Sequence, residues 1–500
     1  MTLIFWPILT GLLCALAHPK ANLFPLAFVG LLPWFWALKR GLSGFIGGWI
    51  AGFSYFMPLL YWLVPVMTHF GGLPPLAAWG VLALLALYLA LYWALVSTLI
   101  QRHGLLERDL AALLVPAVWV AGEFLRGKLF YGFPWGFLGA SQARFLPFIQ
   151  IADLGGIYAV SFLVVLANVG LFLFWERRFK GAIISFILIA LCLGYGLIRL
   201  HTRWPEEKTQ VFGLVQGNIP QDLKWSPALK EESLTRYLKL SEEALGCGAE
   251  VVLWPETALP WFFPDDTLSR RVLSWSQKHP VPLVLGAPRL SVSDEKIKVF
   301  NSLFLLKAGK ILGIYDKQQL VPFGEFVPLE RYFPLMRTFA VAAGNFSPGL
   351  KGAPLSLGPE RHLGPLICFE STFPSLARRQ VRQGANILLV ATNDAWFGRS
   401  AGPYQHFDQA VFRAVETRRY VVRVANTGIS GIIDPYGRIL KAIPLEKTMA
   451  SCMKGAYLSY FSYYTRLGDV WAGICVFISI ALAMVLFPFR KGRRNLLQEK

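Results

Sequence analysis

Long apolar runs fill most of residues 1–200, and one more run lies near the C-terminus. A run of about 20 mainly apolar residues is long enough to cross a bilayer as a helix. Only 16% of the residues are charged, against about 25% in soluble domains. The sequence therefore predicts a multi-span α-helical membrane domain of about eight helices, with spans near 2–18, 23–38, 43–68, 75–100, 109–126, 156–176, 181–200 and Val470–Phe489.

Some parts of this region do not fit a simple series of spans. Leu129–Ile149 is rich in aromatic residues, Gly and Pro, so we expect a re-entrant or interfacial segment there. Glu123 and Arg126 end the fifth run, where they are either functional or a helix-end ion pair that reaches the interface. Met1–Thr10 lacks the basic residues of a signal peptide, so we expect the first helix to be retained.

The basic residues of the short loops predict an orientation. With the N-terminus in the cytoplasm, the cytoplasmic segments carry about twice as many Lys and Arg residues as the opposite loops, which favours N-in and C-in. The cytoplasmic set comprises Lys39, Arg40, Arg102, Arg108, Arg177, Arg178, Lys180, Arg490, Lys491, Arg493, Arg494 and Lys500. These loops explain much of the net charge of +19, and no nucleic-acid-binding motif is present. Residues 205–460 are thus expected outside the cytoplasm.

Residues 205–460 have the pattern of an α/β domain, in which buried strands alternate with helices. The predicted strands are Val211–Gln216, Val251–Trp254, Pro282–Leu285, Ser302–Leu306, His362–Phe369, Asn386–Thr392 and Val421–Ala425. The predicted helices are Pro227–Leu245, Leu268–Lys278, Thr372–Gln383 and Tyr404–Arg419. The chain therefore divides into a membrane domain of seven helices (1–204), an α/β domain (205–460), and a last transmembrane helix with a basic tail (461–500).

Three residues of the α/β domain follow predicted strands or turns and could carry chemistry: Glu256, Lys317 and Cys368. Active sites of α/β folds collect at strand ends. A thiolate is the reactive form of cysteine, and a nearby cation favours it. A carboxylate can accept the thiol proton. Each residue alone is more often structural, so the combination carries the indication.

Glu256, Lys317 and Cys368, in this order, resemble the Glu–Lys–Cys triad of the nitrilase superfamily, whose fold is an α–β–β–α sandwich. Other stretches resemble the membrane-embedded apolipoprotein N-acyltransferase family within it. They are residues 215–221 (VQGNIPQ) with Trp225, 320–328 (LVPFGEFVP), 392–398 (TNDAWFG), 425–430 (ANTGIS) and 132–135 (GFPW). The resemblance covers essentially the whole chain.

The resemblance implies roles for these residues. Cys368 is the expected nucleophile and Glu256 the general base, and Lys317 is expected to stabilise the thiolate and the oxyanion. Glu325 and Glu370 match two further family carboxylates, which could position Lys317 or the incoming amine, or be only loop ion pairs.

Two aromatic positions, Trp225 and Phe369, also match the family's motifs. Trp225 could line the substrate site or pack in the core. Phe369 stands where the family often has Tyr, which puts a hydroxyl role there in doubt. We also expect the aromatic segments Thr257–Phe263 and Phe323–Phe346 to form a lid that dips into lipid, or else to pack on the sandwich.

The resemblance implies acyl transfer from a phospholipid, such as phosphatidylethanolamine, to the N-terminal amine of an S-diacylglyceryl-cysteine lipoprotein through a thioester. We expect a monomeric bacterial inner-membrane enzyme with a periplasmic catalytic domain, no metal and no organic cofactor. The alternatives are a membrane-tethered amidase of the same superfamily, and a transporter or assembly factor with an inactive domain. Cys247 and Cys452 could pair or stay free.

Overall fold

The structure, a computed structural model, describes residues 2–202, 208–222, 224, 227–293, 296–330, 332, 344–350 and 352–485. The helices of the membrane half are α1 (Phe5–Leu16), α2 (Leu32–Lys39), α3 (Gly44–Leu59), α4 (Leu63–Pro65), α5 (Pro75–Arg102), α6 (Ala111–Lys128), α7 (Leu146–Ile149), α8 (Ala152–Trp175) and α9 (Phe179–His201). The remaining helices are α10 (Pro227–Gly246), α11 (Ser269–Lys278), α12 (Pro374–Arg382), α13 (Gly402–Thr417), α14 (Tyr463–Leu467) and α15 (Val470–Met484).

Among the described residues, three helices are long and apolar enough to cross a membrane: α5, α8 and α9. A fourth span results if α3 and the segment Leu63–Phe70, which bend by 62° at their junction, are counted as one. Helices α1 and α15 are apolar but shorter. The structure therefore supports apolar membrane helices, while the count of eight spans stays a prediction. The basic tail after residue 485 lies outside the described residues.

The segment between α6 and α8 is not a continuous helix, and the re-entrant or interfacial character expected of Leu129–Ile149 stays a prediction. It consists of turns, a short 3-10 helix at Leu138–Gln142 and the single turn of α7. Buried Arg126 donates hydrogen bonds to the carbonyl oxygens of Phe133 (2.8 Å), Trp135 (2.6 Å) and Gly136 (2.9 Å). Glu123 accepts one from the backbone N–H of Leu138 at 2.7 Å. Both ionisable groups therefore hold the backbone of this segment rather than reaching for water.

Within its described residues, the α/β half has twelve strands in two six-stranded sheets. The first sheet has the order β12-β1-β2-β3-β4-β5 and the second β11-β10-β9-β8-β7-β6. The strands are β1 (Lys208–Gln216), β2 (Val251–Leu253), β3 (Leu283–Ser293), β4 (Lys296–Lys307), β5 (Lys310–Asp316), β6 (Leu355–Gly358), β7 (Arg361–Ile367), β8 (Ile387–Thr392), β9 (Val421–Ala425), β10 (Ser430–Ile433), β11 (Ile439–Ile443) and β12 (Met449–Tyr457).

Alternating side chains explain how the two sheets stack. In β2, Val251 and Leu253 pack between the sheets, while Val252 faces the layer of α10 and α11. In β8, Leu389 packs between the sheets and Val390 faces outward. Successive side chains of a strand point to opposite faces, so each strand buries both of its faces. The result is the expected α–β–β–α sandwich.

The second helix layer joins the two halves of the molecule. Residues of α12 and α13 belong to the same buried apolar cluster as the membrane helices. Glu416 of α13 accepts a hydrogen bond from the backbone of Ile157 in α8 (2.9 Å), and buried Arg418 pairs with Asp153 of α8 at 2.8 Å. The outer face of this layer is therefore covered by membrane helices instead of solvent.

The sequence expectations differ from the structure mainly at the edges of the sheets. β3 and β4 form a much longer hairpin than the predicted Pro282–Leu285 and Ser302–Leu306. β5, β6, β10, β11 and β12 were not predicted. Cys247 and Cys452 form a disulfide that connects the end of α10 to β12, which resolves the alternatives left open for them.

Candidate active site

Three strand ends carry the predicted triad. Glu256 follows β2, Lys317 comes directly after β5, and Cys368 comes directly after β7. β2 runs parallel to β1 and β3, and β7 runs parallel to β8. Glu256 and Lys317 follow strands of the first sheet and Cys368 follows a strand of the second, so both sheets contribute to the site.

Glu256 and Lys317 form a buried ion pair. The Nζ atom of Lys317 lies 3.1 Å from Oε1 of Glu256, and the two side chains are 1% and 7% exposed. The other carboxylate oxygen, Oε2, accepts a hydrogen bond from the backbone N–H of Asn393 at 2.8 Å. Groups on or after three strands thereby fix the orientation of Glu256. They are Asn301 of β4, Lys317 after β5 and Asn393 after β8.

Charge and burial oppose each other in this pair. Burial would raise the pKa of Glu256, but the Lys317 ammonium and the hydrogen bonds from Asn301, Lys317 and Asn393 outweigh it, so this pKa lies below its usual value. Burial would lower the pKa of Lys317, but the charges of Glu256 and Glu325 hold it well above its usual value. Glu256 is therefore a carboxylate, and Lys317 an ammonium, at neutral pH.

Glu325 is the second carboxylate on the lysine. Its Oε1 atom lies 2.8 Å from Nζ of Lys317, and its Oε2 atom accepts from the backbone N–H of Val321 at 2.8 Å. The Nδ2 group of Asn301 donates to Glu256 (2.7 Å) and to Glu325 (3.0 Å). One amide therefore connects the two carboxylates that flank Lys317. Of the two roles considered for Glu325, its position fits the one that holds the lysine.

Glu370 makes a different set of contacts. It accepts hydrogen bonds from the backbone N–H groups of Gln318 (2.6 Å), Gln319 (3.2 Å) and Ile367 (2.7 Å), and from the hydroxyl of Tyr315 (3.0 Å). Burial raises the pKa of Glu370 to about 7 despite these donors. Glu370 thus ties the loop that carries Lys317 to the turn that carries the cysteine. These contacts are not those of a solvated loop ion pair.

Cys368 begins a short 3-10 helix that runs to Thr372. Its φ of 51° lies in the left-handed region, which is uncommon for a non-glycine residue. Burial raises the pKa of the Cys368 thiol, and Glu256 adds to this effect while Lys317 opposes it. The closed site therefore holds a protonated thiol, and a base must take its proton before the sulfur can attack.

The structure places the predicted aromatic residues in different settings. Phe369 is buried and stacks edge-to-face on Phe373, with ring centroids 5.1 Å apart, so it packs rather than offering a polar group. Trp225 lies outside the described residues. The expectation that Thr257–Phe263 forms a lid is wrong for Trp261 and Phe263. Both rings are buried in the cluster between the first sheet and its helices.

That correction has a physical reason, because large rings gain more by packing against a sheet than by facing water. In the other expected lid segment, Phe323 and Tyr332 are 48% and 72% exposed, and residues 333–343 lie outside the described part of the chain. The lid therefore remains a prediction for that segment alone.

Sequence reasoning missed two polar residues that support Glu256. The sequence gave no indication of a role for Asn301 in β4, because a single Asn in a strand indicates nothing until its hydrogen-bond partners are known. Lys224 is buried, and its Nζ atom lies 2.8 Å from Oγ1 of Thr257 and 3.5 Å from the carbonyl oxygen of Glu256. Burial lowers the pKa of Lys224 to about 7. Its position between the motif at 215–221 and Trp225 was the available signal.

Comparison with known proteins accounts for both halves of the chain. The model of the apolipoprotein N-acyltransferase N-terminal domain matches residues 10–170, and the carbon-nitrogen hydrolase model matches residues 213–451. The apolipoprotein N-acyltransferase of Geobacter metallireducens is 39% identical over 96% of this chain and 94% of its own. The chain belongs to the apolipoprotein N-acyltransferase family.

A second relative and one solved structure are also similar to this chain. The apolipoprotein N-acyltransferase of Caulobacter vibrioides is 33% identical over 88% of this chain and 86% of its own. Among solved structures, the Caenorhabditis elegans NitFhit protein matches with a TM-score of 0.41 and 20% identity, over 54% of this chain and 65% of its own.

Proposed function

We propose that this chain transfers an acyl group from a phospholipid to the N-terminal amine of a diacylglyceryl lipoprotein, through a thioester on Cys368. The proposal rests on family membership and on one structural observation. The loop that follows Lys317 touches the membrane half: Nε2 of Gln319 donates to the carbonyl oxygen of Tyr131 (3.1 Å), and the Phe326 ring lies 5.2 Å from the Tyr131 ring. A site beside membrane helices suits a lipid acyl donor.

In the first half-reaction, Glu256 accepts the thiol proton of Cys368. The sulfur attacks the ester carbonyl of the phospholipid, and the Lys317 ammonium stabilises the oxyanion. Collapse breaks the ester C–O bond, and the departing alkoxide takes the proton back from Glu256. The products are a lysophospholipid and a thioester.

In the second half-reaction, the α-amine of the lipoprotein attacks the thioester carbonyl, and Glu256 accepts a proton from the attacking nitrogen. The C–S bond breaks, the amide forms, and the sulfur recovers its proton as a thiol. Water competes with the amine, so the buried position of Cys368 favours transfer over hydrolysis.

Intact mass measurement tests the thioester. Wild-type protein incubated with phosphatidylethanolamine should gain one acyl mass that hydroxylamine removes, and a diacylglyceryl peptide should then discharge it as an amide. Cys368→Ala should gain no such mass. Cys475→Ala is the matched control, because Cys475 is a buried free cysteine of α15 and should leave the adduct in place.

The alternative function, a membrane-tethered amidase, predicts different results in the same experiment. It expects ammonia from small amides, no acyl adduct from the phospholipid, and no dependence on lipid. Either a missing adduct in folded wild-type protein or an equal adduct on Cys368→Ala would overturn the proposed reaction.

We further propose that residues 205–460 lie on the periplasmic side of a bacterial inner membrane. The loop charges favour this orientation. The Cys247–Cys452 disulfide supports it, because disulfides persist in oxidising compartments and are rare in the cytosol. Glu231→Cys in the exposed part of α10 should react with an impermeant maleimide in spheroplasts, whereas Arg177→Cys should react only after lysis. The reverse pattern would invert the topology.

A further inference from the structure

One exposed aromatic residue lies in a backbone conformation that its side chain disfavours. Phe130 follows α6 by two residues, is 83% exposed and has a φ of 56°. This value lies in the left-handed region, where a bulky side chain is an outlier. Backbone strain of this kind persists only when the surrounding structure fixes it, and it is a reason to look for a function.

The turn that carries Phe130 is fixed by backbone hydrogen bonds and by a buried arginine. The N–H of Gly132 donates to the carbonyl oxygen of Leu129 at 2.9 Å, and the N–H of Phe133 donates to that of Arg126 at 2.8 Å. The guanidinium of Arg126 in turn donates to the carbonyl oxygen of Phe133 at 2.8 Å. A turn with a defined set of hydrogen bonds therefore presents the exposed ring.

The ring of Phe130 lies against an exposed apolar stripe of α5. The ring centroids of Phe130 and Tyr88 are 6.3 Å apart. Tyr88 belongs to a set of exposed side chains that recur every three or four residues and therefore share one face of the helix. They are Leu84 (68% exposed), Tyr88 (38%), Leu91 (40%) and Leu95 (61%). Since α5 is long and apolar enough to cross a membrane, this face suits contact with lipid.

The contact with Tyr88 also indicates a depth. Tyr88 is at the middle of the 28 residues of α5, which at 1.5 Å per residue span about 42 Å. The hydrocarbon core of a bilayer is about 30 Å thick, so the middle of a span of this length lies among acyl chains. A ring beside Tyr88 therefore meets acyl chains in preference to water.

The next residue contacts the loop that carries Lys317. The carbonyl oxygen of Tyr131 accepts a hydrogen bond from Nε2 of Gln319 at 3.1 Å, and its ring lies 5.2 Å from that of Phe326. Phe326 directly follows Glu325, whose carboxylate lies 2.8 Å from Nζ of Lys317. Two consecutive residues thus connect the apolar face of α5 with the candidate active site.

We propose that Phe130 and Tyr131 form a binding surface for one acyl chain of the phospholipid donor. The inference rests on the proposed acyl transfer and adds where the donor chain lies. In that reaction, the carbonyl carbon that Cys368 attacks carries this chain directly, and Lys317 stabilises the oxyanion formed there. The chain therefore leaves the site beside the Lys317 loop. In the lipoprotein acceptor, the glyceryl group and the cysteine separate the acyl chains from the reacting nitrogen, so those chains need not pass this loop.

The dependence of thioester formation on donor concentration tests this binding surface. Phe130→Asn removes the ring, and Asn tolerates the left-handed region, so the backbone gains no further strain. The donor is dipalmitoyl phosphatidylethanolamine, at increasing mole fraction in micelles of an alkyl glycoside. We expect KM for the donor to rise about tenfold, with kcat within about twofold of the wild type. Discharge of a preformed thioester by a diacylglyceryl peptide should keep the wild-type KM for the peptide.

Two further comparisons separate a contact with the acyl chain from a general structural role. Shortening the donor from dipalmitoyl to dihexanoyl should reduce the ratio of KM between Phe130→Asn and wild type, because a short chain makes fewer contacts with the ring. Phe130→Leu keeps an apolar side chain, so its KM for the dipalmitoyl donor should return to within about threefold of the wild type.

Trp175→Asn is the matched control. Trp175 is 82% exposed and ends α8, whose other end contacts the α/β half through Asp153, so its loss should leave the donor KM unchanged. A wild type that forms no thioester would overturn the proposed reaction itself. If the wild type forms the thioester, four results would overturn the binding surface alone: an unchanged donor KM in Phe130→Asn, an equal rise in Trp175→Asn, a KM ratio independent of chain length, or a rise confined to the peptide.

Discussion

Asn301→Leu should raise the pKa of the general base. The Nδ2 group of Asn301 donates to Glu256 at 2.7 Å and to Glu325 at 3.0 Å, and its side chain is buried. A hydrogen bond to a charged group contributes about 1.5–3 kcal/mol. Since 1.36 kcal/mol corresponds to about one pKa unit, loss of this donor should raise the pKa of Glu256 by about one to two units.

The sign of the effect on rate follows from the role of Glu256. The base must be ionised to accept the thiol proton, and its pKa in the wild type is below the usual value. The acid limb of kcat/KM for thioester formation should therefore move upward by about one to two pH units in Asn301→Leu, with less change above pH 8. A fluorescent phospholipid and single-turnover mixing between pH 4 and pH 9 would measure it.

A matched variant separates this effect from a general loss of packing. Asn386 is also a buried Asn of the α/β half, but it bonds the backbone around His362 and Glu360. Asn386→Leu should leave the acid limb where it is. If Asn301→Leu lowered the rate equally at every pH, Asn301 would be only a packing residue and the reasoning would be refuted.

Three other perturbations have defined outcomes. Glu370→Gln turns an amide toward backbone donors, so the free energy of unfolding should fall by about 1–3 kcal/mol, and an unchanged Tm would contradict its bracing role. Lys224 has its pKa lowered from 10.5 to about 7, so its contribution to stability is full above pH 10.5 and is lost as pH falls through 7. Wild-type Tm should therefore rise relative to Lys224→Met between pH 7 and pH 10, and parallel curves would refute this. The disulfide closes a loop of 205 residues, so Cys247→Ser with Cys452→Ser should lose about 5 kcal/mol. Thiol titration of the unreduced, denatured wild type should find four thiols, and six would exclude the pair.

The sequence predicted buried central elements well and edge strands poorly. Leu268–Lys278 and Tyr404–Arg419 match α11 and α13 to within two residues. β2 and β8 were found because they are continuous apolar runs. β5 was missed because its exposed and half-buried positions alternate at the edge of the sheet, where a strand looks like a loop.

Within the candidate active site, some residues could likewise be identified from the sequence and others could not. The candidate triad could be proposed from the sequence because the residue types and their order form a motif. Asn301 could not, because its bonds depend on the register of β4 against its neighbours, which sets which side chain lies beside Glu256. The hydropathy pattern could not determine the number of spans either. Short helices such as α1 and α15 are apolar enough for a membrane span but are shorter than a span requires.

Helix α13 connects the 132–135 segment of the membrane half to the turn that carries Cys368. Gln405 accepts hydrogen bonds from the indole N–H groups of Trp62 (3.1 Å) and Trp135 (2.7 Å), both in the membrane half. The next residue, His406, contacts the carbonyl of Cys368. Consecutive residues of a helix point about 100° apart, so one turn of α13 can face both partners. One turn of α13 therefore contacts both the membrane half and the backbone of Cys368.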